Sequence, residues 1–264
     1  MACELRCGAE RAAGQVGACG LGAETHVYNR LLHMGEEAQL VPSYTVYLSG
    51  CSMACSFCSE AQHLAPPFSR PATDPVALAR KVTGSLGRAR NVNFVGGEPS
   101  IQLPWIARFA AELAELGPVP PLLCNTNGYL TPEALELALE MFSIWVVDLK
   151  FGNDRCAQSV ANTDDYTAVL RRNLHVLEEA GVELWVRHLL MPGHLDCCTA
   201  QVLDWCADNL PSARVNVMPA FVPFRHNDNA EWGELSVDHR QRGRELLRRA
   251  GVSAPYFDGR RLDS

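Results

Sequence analysis

The sequence predicts an α/β protein in which a parallel sheet follows an irregular N-terminal extension. From Ser43 onward, short β-rich runs alternate with segments that carry apolar residues at three- and four-residue intervals. Parallel strands require crossovers of this kind, because consecutive strands must begin at the same edge of the sheet. Residues 1–42 lack a sustained period and are rich in glycine. We therefore expect an extension over 1–42 and one α/β domain over 43–264.

Six strands and six helices are predicted. The strands are 43–49, 91–96, 121–126, 143–150, 182–190 and 213–219, and the helices are 74–86, 102–116, 131–141, 164–180, 196–209 and 236–250. Asp74-Pro75 and Thr131-Pro132 each place a capping residue before a proline at the first helical position. Gly181 marks a helix end. A doubly wound open sheet and a partial (β/α)6 barrel both fit, and both place the reaction site at the C-terminal ends of the strands.

Composition excludes several classes of protein. The chain has 264 residues, a net charge of −7 and a sequence pI of about 5.6, which disfavours a nucleic-acid partner. It has no apolar run near the roughly 20 residues that span a bilayer, and its first residues do not resemble a signal peptide. Eleven cysteines in such a chain indicate metal ligands in a reducing cytoplasm rather than disulfides.

A three-cysteine loop follows the first predicted strand. Cys51, Cys55 and Cys58 have the spacing C-x3-C-x2-C. Three thiolates on a [4Fe–4S] cluster would leave one iron open to a substrate or cofactor, as catalytic metal sites require. Two other interpretations remain, a zinc ion completed by His63 and a set of buried thiols.

Charged and glycine-rich motifs end the next strands. Gly96-Gly97-Glu98-Pro99 allows the backbone to approach a ligand closely and offers a carboxylate to an ammonium group. Asp148 and Lys150 share one face of the fourth strand by the two-residue period. On the fifth strand, Arg187 is expected to point inward and His188 to be a satisfied buried histidine. Buried charges of this number need partners, so these strand ends predict a ligand site.

These residues resemble the radical S-adenosylmethionine (SAM) superfamily. The loop, with Phe57 before its third cysteine, is similar to the superfamily's cluster loop, and Gly96, Gly97 and Glu98 are similar to its GGE motif. The resemblance implies a partial TIM-like barrel in which SAM chelates the fourth iron of a [4Fe–4S] cluster. Reductive cleavage of SAM would then give methionine and a 5′-deoxyadenosyl radical that abstracts hydrogen from a substrate. An electron donor such as flavodoxin or ferredoxin is also implied.

A narrower resemblance is to homologues of pyruvate formate-lyase activating enzyme. It rests on TNG at 126–128, DLK at 148–150 and R-x4-PG at 187–193, and an uncharacterised branch also shares the cysteine-rich extension and the segments 33–37 and 186–194. It implies that Lys150 and Arg187 contact SAM and that Asp148 lines its site. Asn125, which we also expect to contact SAM, stands where the activases have an aspartate, and 217–221 lacks their histidine. The substrate is therefore left as a small molecule, a peptide or the glycine of a glycyl-radical enzyme.

The extension holds a second group of cysteines, Cys3, Cys7 and Cys19. They are expected either to bind a second metal, with a fourth ligand from Cys197, Cys198 or Cys206, or to be thiols in a poorly ordered tail. Two functions other than radical chemistry remain at this point. One is a non-catalytic iron–sulfur electron carrier, and the other is a zinc-stabilised binding module.

Overall fold

The structure is a computed structural model that describes residues 2–35, 37–222 and 233–262. Glu36, which belongs to the segment 33–37, lies outside the described residues. The chain forms two compact units, one of Met1–Ser52 with Glu60–Trp145 and one of Met53–Ser59 with Val146–Ser264. The chain therefore passes between the units within the three-cysteine loop and again within the fifth strand.

The first unit is a four-stranded sheet with three helices. Its strands are β1 (Val27–His33), β2 (Ser43–Leu48), β3 (Asn91–Gly96) and β4 (Leu122–Thr126), and its helices are α1 (Pro75–Leu86), α2 (Leu103–Leu116) and α3 (Pro132–Leu139). β1 is antiparallel to β2, whereas β2, β3 and β4 are parallel. Phe94 of β3 packs edge-on against Phe109 and Phe142 with ring centroids 5.6 and 6.0 Å apart. This aromatic contact is the centre of the unit's core.

The second unit takes up the chain within β5 (Ile144–Asp148). Its remaining elements are α4 (Asp154–Ala161), α5 (Tyr166–Glu179), β6 (Glu183–Leu189), a π-helical turn (Leu195–Ala200), α6 (Gln201–Asn209), β7 (Arg214–Met218), α7 (Val237–Ala250), β8 (Ala254–Phe257) and β9 (Arg260–Arg261). β6, β7 and β8 are parallel, and β9 returns antiparallel to β8. Trp185 of β6 packs on Tyr256 of β8 with centroids 4.8 Å apart.

The predicted α/β class and its parallel strands are confirmed. All six predicted strands and six predicted helices occur, although the segment 196–209 begins as the π-helical turn before it becomes α6. The predicted caps form as well, since the Asp74 carboxylate accepts the Ala77 N–H at 2.7 Å and the Thr131 hydroxyl accepts the Ala134 N–H at 3.3 Å. These local signals were readable because each is set by neighbouring residues.

Within the described residues, three strands and one α-helix go beyond the prediction. The segment 1–42 contains β1, which the sequence did not indicate because a bulge between Val27 and Asn29 breaks the strand period. α4, β8 and β9 are short, and their residues alone carry too few periodic positions to reveal them. Among the helices that the structure describes, none is long and apolar enough to cross a membrane.

Candidate functional site

Cys51 lies in the first unit, three residues after the end of β2. Its backbone N–H donates to the Cys19 carbonyl at 3.2 Å, and its Sγ lies 3.6 Å from Nδ2 of Asn127. The same Asn127 amide donates to the Ser52 hydroxyl at 3.1 Å. Asn127 therefore aims an N–H group at the sulfur, an arrangement that tunes cluster thiolates in iron–sulfur proteins.

Cys55 and Cys58 lie in the second unit. The Cys58 N–H donates to the Cys55 carbonyl at 3.1 Å, which closes a tight turn between the two cysteines. The flanking N–H groups of Ala54 and Ser56 donate to the carbonyls of Ala161 and Val160 at 3.1 and 2.8 Å. These carbonyls belong to the last turn of α4, where no intrahelical donor remains. The C-terminal end of α4 therefore anchors the loop that carries both cysteines.

The glycine pair Gly96-Gly97 permits a close approach of two backbone segments. A Cβ on Gly97 would lie 1.8 Å from the Gly50 carbonyl oxygen, and one on Gly96 would lie 2.5 Å from the Leu48 nitrogen. The N–H groups of Gly97 and Glu98 donate to the Leu48 and Gly50 carbonyls at 2.6 and 2.8 Å. In the structure, the backbone of this motif lies against the end of β2 and the residues that follow it. This contact fixes the position of Gly50, the residue before Cys51.

Glu98 is fully buried in the first unit. Its Oε1 accepts the Thr126 hydroxyl at 2.6 Å and the Ser100 N–H at 3.0 Å, and its Oε2 accepts the Asn127 N–H at 2.8 Å. Burial raises the pKa of the carboxyl, while these donors lower it. Glu98 therefore holds the TNG turn at the end of β4, and its carboxylate keeps acceptor capacity for one further donor.

Asp148 and Lys150 form an ion pair at the end of β5 beside Cys55. Burial lowers the pKa of Lys150, but the charges of Asp148 and Cys55 outweigh burial and raise it, so the ammonium form is retained. Burial raises the pKa of the Cys55 thiol to about 12, which Lys150 partly opposes. Tyr166 secures this strand end, since its hydroxyl oxygen accepts the Lys150 N–H at 2.8 Å. The DLK residues and the second cysteine of the loop therefore converge, as the sequence motifs suggested.

Arg187 and His188 are both buried in β6 and point to opposite faces. His188 Nε2 lies 2.9 Å from the Thr199 hydroxyl of the π-helical turn, and its Nδ1 lies 2.8 Å from the Leu149 carbonyl. Burial lowers the pKa of His188 to about 4, with smaller contributions from Leu149, Lys150, Asp148 and His194. His188 is thus the satisfied neutral histidine that was predicted, and Arg187 occupies the face away from the π-helical turn.

Phe57 belongs to an aromatic group in the second unit. Its ring centroid lies 6.5 Å from that of Phe151 and 6.1 Å from that of Phe221. Phe151 follows Lys150 directly, and Phe221 lies in the segment where the activases carry a histidine. In this chain, that segment therefore contributes the apolar ring of Phe221, which packs on Phe57 of the three-cysteine loop.

The three N-terminal cysteines converge in the first unit. A Cβ on Gly17 would lie 3.3 Å from the Cys19 Sγ and 3.6 Å from the Cys7 Sγ. Burial raises the pKa of Cys3, and Cys19 and Cys7 add to this effect. The backbone N–H groups of Ala9 and Ala18 lower the pKa of Cys7. The extension is held to the unit by Arg11, whose guanidinium donates to the Ile101 carbonyl at 2.7 Å. A metal at this trio remains a prediction.

Several site residues were missed from the sequence. Asn127 and Thr126 are part of a quoted motif, but their contacts with Cys51 and Glu98 come only from the fold. Tyr166 is 16 residues from Lys150 and carries no motif. Asn125, which was predicted to contact SAM, is buried at the end of β4. Cys197 and Cys198, considered as ligands for the N-terminal trio, instead lie beside Cys156 and His194.

The comparisons with known proteins show the family to which this chain belongs. Residues 45–206, more than half of the chain, match the Radical SAM superfamily. The uncharacterised protein MJ0674 of Methanocaldococcus jannaschii is 33% identical over 227 residues, which cover 84% of this chain and 65% of that protein. The chain thus spans about two thirds of the length of this relative.

Solved structures share the fold. A radical SAM methyltransferase from Sphaerobacter thermophilus is 23% identical, with a TM-score of 0.59 over 82% of this chain and 67% of that one. Streptococcus suis SuiB bound to S-adenosylmethionine is 15% identical, with a TM-score of 0.58 over 78% of this chain and 47% of that one. SuiB has also been solved with the precursor peptide SuiA. These likenesses confirm the predicted partial TIM-like barrel.

The fold and the cysteine loop together define a domain for iron–sulfur and SAM chemistry. The chain belongs to the radical SAM superfamily, whose members are enzymes that use a [4Fe–4S] cluster and SAM. Cys51, Cys55 and Cys58 suit such a cluster, because soft thiolates are its preferred ligands and Asn127 aims an N–H at the first of them.

Proposed function

We propose that this protein reductively cleaves SAM and uses the resulting 5′-deoxyadenosyl radical to abstract a hydrogen atom from a substrate. The observation that carries the proposal is the convergence of Lys150 and Asp148 on Cys55 within one unit. A cluster bound by Cys51, Cys55 and Cys58 would supply the electron for this cleavage. A plain electron carrier would have no use for a half-buried ion pair beside one of its thiolates.

Each charged strand end is suited to one part of SAM. Glu98 offers a carboxylate with remaining acceptor capacity to the SAM ammonium group. Lys150, held as a cation by Asp148, and Arg187 offer donors to the SAM carboxylate or ribose oxygens. Asn125 and the backbone at Gly96 and Gly97 complete the proposed set.

The aromatic group around Phe57 limits water near the loop. Phe151 and Phe221 are buried and contact the Phe57 ring, so the side of the loop they cover is apolar. Exclusion of water protects a reactive intermediate from side reactions. We propose that Phe57 fulfils this role beside bound SAM.

The substrate class is broad. The complex of SuiB with a precursor peptide is compatible with a peptide substrate, and a small molecule or the glycine of a glycyl-radical enzyme also suits hydrogen abstraction. We propose flavodoxin or ferredoxin as the class of electron donor. This chain departs from the activases at Asn125 and in the segment 217–221, which ends in Phe221.

Product analysis tests the proposed reaction. Anaerobically reconstituted protein with dithionite and SAM should release 5′-deoxyadenosine and methionine, measured by chromatography with mass detection. The Cys55→Ala variant should release neither product. Methylthioadenosine in place of 5′-deoxyadenosine would show that a different carbon–sulfur bond is cut and would contradict the proposal.

Arg187 provides the sharpest test of SAM binding. Removing a charge-assisted hydrogen bond costs about 1.5–3 kcal/mol, which corresponds to roughly 10- to 100-fold in affinity. Arg187→Ala should therefore keep the iron content of the wild type and bind SAM roughly 10- to 100-fold more weakly by equilibrium dialysis. Arg214→Ala is the control, because Arg214 is half-exposed on neighbouring β7 and pairs with Glu183. Wild-type affinity in Arg187→Ala would remove this residue from the site.

A further inference from the structure

A second group of metal-binding side chains lies in the second unit, outside the three-cysteine loop. Cys156, His194, Cys197 and Cys198 place one ligand atom each within 4.8 Å of all the others. Cys156 is in the first turn of α4, whereas the other three lie at the start of the π-helical turn, 38 or more residues later. The cluster loop and the SAM motifs use none of them.

The separations of these atoms fit one tetrahedral ion. Ligands on zinc, with Zn–S near 2.3 Å and Zn–N near 2.0 Å, stand about 3.8 Å apart for two sulfurs and about 3.5 Å apart for sulfur and nitrogen. Cys197 Sγ lies 3.8 Å from Cys156 Sγ and 3.9 Å from Cys198 Sγ. His194 Nδ1 lies 3.6 Å from the sulfurs of both Cys197 and Cys198. These four separations therefore match four of the six edges of the tetrahedron.

The chain places these ligands through local geometry. His194, Cys197 and Cys198 stand at positions i, i+3 and i+4, which share one face of a helical turn. Asn153 joins this turn to α4, because its Oδ1 accepts the Cys156 N–H at 2.9 Å and its Nδ2 donates to the Cys197 carbonyl at 2.7 Å. One side chain thus orients both ligand segments, as the supporting residues of metal sites do.

We propose that Cys156, His194, Cys197 and Cys198 bind one structural zinc ion. Three thiolates and one imidazole are a recognised structural zinc set, and four protein ligands leave no open position for catalysis. A cubane cluster is a poorer fit, since each of its thiolates binds a different iron and must stand farther from the next. Sulfurs 3.8 Å apart are also well beyond the roughly 2.05 Å of a disulfide.

The zinc would fix the part of the second unit that carries the proposed SAM contacts. α4 holds Cys156 at one end and accepts the N–H groups of Ala54 and Ser56 at the other. The π-helical turn bonds to His188 through Thr199, and His188 bonds to Leu149 of the DLK motif. The ion would therefore tie the anchor of the cluster loop to the ends of β5 and β6.

Metal analysis and X-ray absorption on the wild-type protein test the site directly. After anaerobic incubation with zinc sulfate and removal of loose metal, we expect about one zinc per chain, with three sulfurs near 2.3 Å and one nitrogen near 2.0 Å. Wild-type protein that holds no zinc after this treatment overturns the proposal. So does iron at these ligands, or a Cys156–Cys197 disulfide found by mass spectrometry.

Matched variants locate the ion and separate it from the N-terminal trio. Cys156→Ser and Cys197→Ser should bind zinc more than about 100-fold more weakly in a chelator competition, because losing even a supporting residue costs about 10- to 100-fold. Cys206→Ser, at a buried cysteine of α6, and Cys7→Ser should both keep the zinc. Zinc lost from Cys7→Ser but kept in Cys156→Ser would place it in the extension and overturn the assignment.

Asn153→Ser tests the supporting contact. Serine keeps a capping oxygen for α4 but is shorter and lacks the amide N–H that donates to the Cys197 carbonyl. Zinc affinity should fall about 10- to 100-fold while the three-sulfur, one-nitrogen shell is retained. Because these measurements need neither SAM nor the cluster, their failure would leave the proposed radical chemistry untouched.

Discussion

Glu98 is expected to be a structural residue as well as a SAM ligand, and Glu98→Ala separates the two roles. The substitution leaves three donors in the first unit without their acceptor, namely the Thr126 hydroxyl and the N–H groups of Ser100 and Asn127. All of them are buried, so water cannot replace the carboxylate without entering the core. The TNG turn, and with it the Asn127 contact to Cys51, should loosen.

The size of the effect follows from these contacts. Three hydrogen bonds to a charged acceptor, at about 1.5 kcal/mol or more each, amount to at least about 4 kcal/mol. Burial raises the pKa of Glu98, so removing the carboxylate returns part of its desolvation cost. We therefore expect a net loss of about 3 kcal/mol, which corresponds to a melting temperature about 6–12 °C lower for a chain of this size.

Urea unfolding of the reduced, cluster-free protein measures this loss without SAM. Glu112→Ala is the matched control, because Glu112 forms a surface ion pair with the exposed Arg80, and such pairs contribute about 0–1 kcal/mol. If Glu98→Ala unfolds at the wild-type urea concentration, the buried carboxylate does not hold the TNG turn.

Two further predictions concern buried positions. Because burial holds the pKa of His188 at about 4 in the folded protein, against 6.5 unfolded, the unfolded chain takes up the proton first as pH falls. Protonation of this group therefore costs no stability above about pH 6.5 and lowers the free energy of unfolding by about 3 kcal/mol as the pH falls toward 4. The urea midpoint of His188→Asn should fall less steeply with decreasing pH than that of the wild type or of the exposed-site variant His175→Asn. Gly97→Ala should yield little folded protein, because its Cβ would lie 1.8 Å from the Gly50 carbonyl oxygen. The control Gly84→Ala lies in open space on α1 and should raise stability by about 0.5–1 kcal/mol. Equal melting temperatures for the two variants, measured by circular dichroism, would refute the close approach.

Strand and helix positions were predictable where periodicity and capping are local. β3 was placed over its full length because Asn91–Gly96 carries a run of strand formers bounded by a double glycine. α4 was missed because half of its eight residues, DRCAQSVA, are polar, and its start depends on the Asn153 side chain accepting the Cys156 N–H. Propensity over so short a segment is outweighed by contacts with the rest of the unit.

The candidate site, like the fold, has parts that the sequence reveals and parts that only the structure shows. The three-cysteine loop and the GGEP and DLK motifs were readable because the residues of each motif are adjacent in sequence, and their positions after successive strands imply one edge of a sheet. The contact between Asn127 and Cys51 joins residues 76 apart, and the support of Lys150 by Tyr166 joins residues 16 apart. No short pattern encodes such pairs.

The sequence by itself determined the class of this protein, because the spacing of the cysteines and the order of the motifs indicate the cofactor chemistry before the fold is known. Only the tertiary structure decided which of its other cysteines belong together. Cys156 is 41 residues from Cys197, and the two sulfurs meet because α4 and the π-helical turn pack beside each other. Metal ligands must converge on a point in space, and spacing along the chain specifies that point only when the ligands share one loop or one turn.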